Sequence, residues 1–196
     1  MKKNLLVLVL TITFGCNSND ESIPPQQVVN TFTMTVNDSQ WTPTLIDNDE
    51  CYSKFNCFFS EVDFIPLYTI TAIKENETET DQKNSEKLWF RIMNLKDVDT
   101  YYLNDEYGDF KSFARFIINE NGIVKIYENS TSENSSKVII EDIIPPTKNS
   151  HLGGVRGIFS GVLYNKNDTS DFIIIRDCNF EFEKTNRTDY YQCLDY

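Results

Sequence analysis

The sequence predicts an all-β domain, an antiparallel β-sandwich of about nine or ten strands, with a lipocalin-like β-barrel as the alternative. Three observations predict it. Apolar and polar residues alternate with period two in many short segments, and these are rich in Val, Ile, Thr and aromatics. Turn formers punctuate them at short intervals: Asn37-Asp38, Asn121-Gly122 and Pro145-Pro146. No long stretch repeats with the 3.6-residue period of a helix.

Residues 1–15 stand apart. Lys2 and Lys3 precede an apolar run over residues 5–14. Ten helical residues reach about 15 Å, half of the ~30 Å hydrocarbon core, so the run fits an export signal better than a membrane span. Gly15-Cys16 follows at once, and the chain then turns polar. The arrangement resembles a bacterial lipoprotein signal, which implies cleavage before Cys16 and a lipid on its sulfur. Thr13 departs from the pattern, standing where Leu is commonest. The other readings are a plain cleaved secretory peptide and a buried helix. The short acidic stretch over 19–22 resembles the export tag of Bacteroidota lipoproteins bound for the outer leaflet of the outer membrane. The expected location is therefore the outer membrane, with the cell surface favoured over the periplasmic face.

Residues 16–30 read as a tether, polar and partly stiffened by Pro24-Pro25. The β domain is expected over 31–196. Phe32, Met34 and Val36 alternate with threonines, a half-buried strand that turns at Asn37-Asp38 before Trp41. Further strands are read at 67–75, 87–95 and 99–104. Two more flank Asn121-Gly122, the strongest hairpin signal in the chain. Another ends at Pro145-Pro146, which cannot donate to a ladder. Strands over 155–165 and 172–184, with a short one near 190–193, complete the set. The strand at 172–184 is long enough to bend across both layers. The best helical candidate, 106–113, is short and interrupted by Gly108. Gly157 and Gly161 bracket Ile158-Phe159 and suggest a bulge or a close backbone approach.

The order of segments over about 30–184 is similar to a group of uncharacterised Bacteroidota lipoproteins. Gly157, Phe159 and Ser160 match that group's Gly-x-Phe-Ser motif, and residues 32–41 resemble its opening hairpin. Cys178 replaces the glycine expected before Asn179-Phe180. The resemblance implies a β fold and brings no activity.

Composition narrows the function. The formal net charge is −12, and removal of Lys2 and Lys3 with the leader takes it to −14. Nucleic acid and anionic headgroups are poor partners for such a chain. Besides Cys16, the four cysteines Cys51, Cys57, Cys178 and Cys193 are expected to form two disulfides in an exported chain. Three connectivities are open, and local pairing asks for the least. The spacings do not suit zinc.

The one histidine, His151, lies in a glycine-rich loop with no marked partner among Ser150, Ser160 or a thiol. Ser160 is not the central residue of a nucleophile elbow. Oxygen-rich stretches at 47–50, 97–109 and 165–171 lack the order of a calcium loop. Trp41, Trp89, Tyr101 and Tyr102 are candidates for a sugar platform, or else core. The expectation is a non-enzymatic, lipid-anchored binding or structural module with no cofactor. Its partners are the membrane, through the lipid, and an unknown protein or glycan. The alternatives are a carbohydrate-binding or carbohydrate-active surface protein, and a barrel holding a small apolar ligand.

Overall fold

The computed structural model describes residues 30–44, 55–76, 84–130, 134–144, 153–183 and 185–187. The period-two segments there are strands, and none of these residues is helical. In chain order the strands are β1 (Thr31–Val36), β2 (Ser39–Trp41), β3 (Phe55–Val62), β4 (Ile65–Asn76) and β5 (Asn84–Met93). There follow β6 (Thr100–Tyr102), β7 (Glu106–Tyr107), β8 (Phe110–Lys111), β9 (Phe113–Glu120) and β10 (Ile123–Asn129). The last four are β11 (Ser136–Ile144), β12 (Gly154–Asn165), β13 (Asp168–Phe182) and β14 (Asn186–Arg187).

One ladder runs β14-β3-β4-β5-β9-β10-β12-β13-β1-β2, with β11 beside β12 and β6 beside β11. All its pairs are antiparallel except the two-residue contact of β14 with β3. One edge of β12 is shared: Gly154 through Gly161 face β11, while Leu163, Tyr164 and Asn165 face β10. The sheet turns over at this fork. β3, β4, β5 and β9 then lie across from β11, β12, β13 and β1, giving a sandwich-like body from a single ladder.

The reason is burial. A sheet this wide would leave its apolar face wet if it stayed open, so it folds that face against itself. The rings that meet come from strands that are not ladder neighbours. Phe90 stacks on Phe159 with centroids 5.1 Å apart, and Phe55 stacks on Phe182 at 4.6 Å. Phe32 meets Phe55 edge-on, and Trp41 meets Phe116 the same way. The ladder does not close into a barrel. Thr44, just past β2, donates its N–H to Ile73 O (3.0 Å) and accepts from Glu75 N through Oγ1 (2.7 Å). Thr44 Oγ1 also donates to Glu75 O (3.4 Å), so that seam joins the layers by three bonds.

The turns obey their chemistry. Asn37 and Asp38 both have positive φ (48° and 62°), as do Asn121 and Gly122 (53° and 81°), the requirement of tight hairpins. Gly157 and Gly161 serve the two purposes read for them. A bulge lies between Phe159 and Gly161, and Gly157 has the Ile139 carbonyl pressed against it.

Four expectations change. Residues 106–113 are not helical: β7 and β8 form a small hairpin around Gly108, whose φ of 56° suits a turn. β3 is not among the strands the sequence predicts, because Phe58-Phe59 breaks the visible alternation and the short Cys51–Cys57 spacing points to a local bridge instead. β13 does not cross between layers. It stays between β12 and β1, with a bulge beside Asp177 (φ 50°) absorbing its bend.

The fourth change concerns the two bridges expected of Cys51, Cys57, Cys178 and Cys193. Cys57 and Cys178 are buried free thiols, one facing the core from β3 and the other from β13. Both lie at strand positions whose neighbours are apolar core residues. Cys51 and Cys193 lie outside the described residues, as do Cys16, His151, Ser150, the acidic stretch at 47–50, the proline pair and the strand read near 190–193.

Candidate functional site

The aromatics proposed as one platform are not brought together. Trp41 is core: it is 3% exposed, and its Nε1 donates to Glu86 Oε2 inside the sandwich. Trp89 lies on the opposite face of the sheet. Tyr101 is half-buried and staples the turn before it, its hydroxyl donating to Asp97 O (2.8 Å) and accepting from the amides of Lys96 and Asp97. Tyr102 is exposed on β6. Ser160 sits half-buried in the β12 bulge.

The oxygen-rich stretches are occupied by their own turns. Asp99 accepts from Thr100 N. Asp168 accepts from the amide and the hydroxyl of Ser170, and the Ser170 hydroxyl holds its carboxyl below the usual range. Asp171 accepts from Asn165 Nδ2 (2.8 Å) and Tyr127 Oη (3.0 Å), and these bonds, Asn165 first, lower its pKa also. Among the described residues no three His, Cys, Asp or Glu side chains converge as metal ligands would.

The arrangement that stands out lies on the outer face of the sheet, and strand parity builds it. On β5, Leu88 and Phe90 point inward, so Lys87, Trp89 and Arg91 point outward. On β9, Ala114 and Phe116 point inward, leaving Phe113 and Arg115 outward. The ladder register aligns these strands across the face. Thr71 pairs with Trp89, Trp89 with Arg115, Arg115 with Glu128, Glu128 with Tyr164, and Tyr164 with Phe172. Residues opposite one another in antiparallel strands share a face, so this is one row crossing six strands.

Around the row, cations and rings interleave. The Trp89 and Phe113 rings meet edge to face at 4.8 Å. Arg115 lies over both, 5.3 Å and 4.7 Å from the centroids; Lys87 lies 5.2 Å over Trp89 and Arg91 5.2 Å over Phe113. Arg91 Nε also reaches Thr69 Oγ1 at 3.4 Å. Arg115 ion-pairs with Glu128, whose other oxygen receives Lys166 at 3.4 Å. Partial burial lowers the pKa of Lys87. It lowers that of Arg91 too, and the nearby Arg115 charge adds to the effect.

Where β10 leaves β12, the row borders an open depression of about 540 Å³ lined by Glu128, Ser130, Tyr164, Asn165, Lys166 and Thr169. Tyr164 and Phe172 present a tilted ring pair beside it, centroids 6.1 Å apart, with Phe172 48% exposed. Physically, this face offers fixed donors, a shared carboxylate and apolar ring surface, the means of holding a ligand. General-acid work would need a carboxyl that keeps its proton, and Asp171, close by, is shifted the other way.

Sequence reasoning named Trp89 but missed Lys87, Arg91, Arg115, Glu128, Tyr164 and Phe172. The outward parity of Lys87-Trp89-Arg91 was visible in the alternation. Its alignment with Arg115 and Tyr164 depends on register, which one strand alone does not specify.

Residues 29–183 match the family model described as Domain of unknown function (DUF5025). No curated protein and no solved structure matches the chain.

Proposed function

We propose that the chain, which belongs to the family described as Domain of unknown function (DUF5025), is an exported, lipid-anchored protein of the bacterial cell envelope whose β domain binds a ligand and performs no catalysis; the lipoprotein-like leader ending at Gly15-Cys16 supports the address. In this reading Cys16 carries the lipid, residues 17–30 form the tether, and the anchor lies in the outer membrane with the domain facing outward. Several acyl chains on one cysteine would hold it stably, whereas one chain binds only marginally.

The observation that carries the binding role is the cross-strand row from Trp89 to Phe172. An outer sheet face needs no such ordered alternation of cations and rings merely to stay soluble. The anchor is tested by feeding cells an alkyne analogue of palmitate. Wild-type protein should take up the label and sediment with the outer membrane. Cys16→Ser should lose the label and leave the membrane fraction. An unlabelled wild-type protein in the cytosol would refute the address. The binding role is tested by screening the full chain in mild detergent on an array of neutral and acidic glycans. Signal that disappears in Trp89→Ala/Arg115→Ala supports the face as the binding surface; signal unchanged in that variant moves it elsewhere.

A further inference from the structure

We infer that the ligand of this face is an acidic polysaccharide, its carboxylate or sulfate groups held by Lys87, Arg91 and Arg115 and its sugar rings resting on Tyr164 and Phe172. The inference rests on the reading of the face as a binding surface and goes further by naming what it takes.

Charge is the first argument. The chain carries 18 basic and 30 acidic residues, yet Lys87, Arg91 and Arg115 lie over the Trp89 and Phe113 rings of this face, and the one acid of the row is Glu128. Glu128 answers Arg115 and Lys166. Lys87 and Arg91 have rings against them and no carboxylate within ion-pair reach among the described residues. Arg115 shares the Trp89 ring with Lys87 and the Phe113 ring with Arg91; burial makes the charge of Lys87 and Arg91 costly, and at Arg91 the nearby Arg115 charge adds to that cost. An anion laid between them would relieve it. Guanidinium forks match carboxylates and sulfates in a bidentate geometry that a lone ammonium lacks.

The second argument removes the neutral-sugar alternative at Trp89. A pyranose needs a bare ring face to stack on, and Lys87 and Arg115 already lie over this one. The free ring surface is instead at Tyr164 and Phe172. Arg115 and Tyr164 are two strands apart, about 10 Å, a span that a short oligosaccharide covers with an anion at one end and a stacked ring at the other. Nucleic acid offers anions and flat rings as well, but its dense charge meets a chain whose net charge is −12. A polysaccharide carries fewer charges per length.

The test is binding of the full chain, in mild detergent, to polygalacturonate and chondroitin sulfate, with dextran and single-stranded DNA alongside. At least one acidic polysaccharide should bind, more weakly as sodium chloride rises. Lys87→Gln/Arg91→Gln should weaken it about tenfold or more, the loss of one or two charge-assisted hydrogen bonds. Phe172→Ala should weaken it with less change in salt dependence. Thermal unfolding of each variant checks that the fold is intact. Binding of dextran alone, or of DNA as tightly as the acidic sugars, would overturn this inference while leaving the face a binding surface. Acidic-sugar binding untouched by Lys87→Gln/Arg91→Gln would overturn it also. Silence toward every glycan, here and on the array, would overturn both readings.

Discussion

Gly157→Ala should destabilise the domain by about 3 kcal/mol, against the sign that strand propensity alone suggests. Propensity favours alanine over glycine inside a strand by about 0.5–1 kcal/mol. The structure reverses this. Gly157 lies in β12 between Ile140 of β11 and Phe180 of β13. A Cβ there would approach both the Ile139 carbonyl oxygen and Phe180 Cζ to under 3.0 Å, whereas carbon–oxygen contacts begin near about 3.3 Å. The ring could turn aside only into a packed core, and the carbonyl belongs to a strand paired along its length. Overpacking of this kind costs about 1–3 kcal/mol, and a backbone obstacle places it at the upper end. Urea unfolding of the full chain, followed by tryptophan fluorescence, measures it. With a slope of about 1–3 kcal/mol per molar, the midpoint should fall by about 1–3 M at unchanged slope. Gly122→Ala is the contrast: nothing lies within 4 Å of its Cβ, but φ is +81°, so its cost should be about 1 kcal/mol of left-handed strain. A Gly157→Ala variant as stable as wild type would refute the close-approach reasoning.

Four further outcomes are expected. Burial pushes the Cys57 and Cys178 thiols above their ordinary value of 9.0, so the folded chain keeps these protons where the unfolded chain releases them. Their contribution is complete below about pH 9 and fades above it, by about 1.4 kcal/mol per pH unit for each thiol; unfolding midpoints from pH 8 to 11 should show the decline, and a flat profile would contradict it. The same two thiols should resist Ellman's reagent at pH 8 until denaturant is added, and peptide mapping that found either one in a disulfide would contradict their description as free. Asn129 joins Leu103 O and Ala114 N through its amide at 2.7 and 2.6 Å; Asn129→Ala leaves both without that partner and should cost about 2–3 kcal/mol in thermal or chemical unfolding. Phe64 stands 90% exposed at a hairpin tip with φ +66°, so Phe64→Gly should stabilise by about 1 kcal/mol, raising the unfolding midpoint by about 2–4 °C; a lower midpoint would mean the ring does structural work.

Several elements were legible in the chain itself because their causes are local. Asn37-Asp38 and Asn121-Gly122 take left-handed turns by their own chemistry, and Phe32, Met34 and Val36 alternate by their own pattern. Where local signals conflict, the reading failed. Cys57 and Phe58-Phe59 disguised β3, since cysteine spacing suggested a bridge and adjacent rings hid the period. Residues 106–113 looked faintly helical because eight residues around one glycine carry little periodicity of any kind. The outer face was half visible: Lys87, Trp89 and Arg91 share a parity that anyone can count.

The amino-acid order by itself determined the strand class, the tight turns, the two glycines that admit a close neighbour, and the acidic balance. Each follows from a residue and its immediate neighbours. Tertiary structure alone decided that Cys57 and Cys178 are free thiols buried in the apolar core, that Trp41 and Trp89 occupy opposite faces, and that Trp89, Arg115, Glu128, Tyr164 and Phe172 fall into one row. Those outcomes depend on which strand pairs with which, and in what register. Pairing is settled by how residues far apart in the chain bury one another's rings, a quantity no local pattern contains.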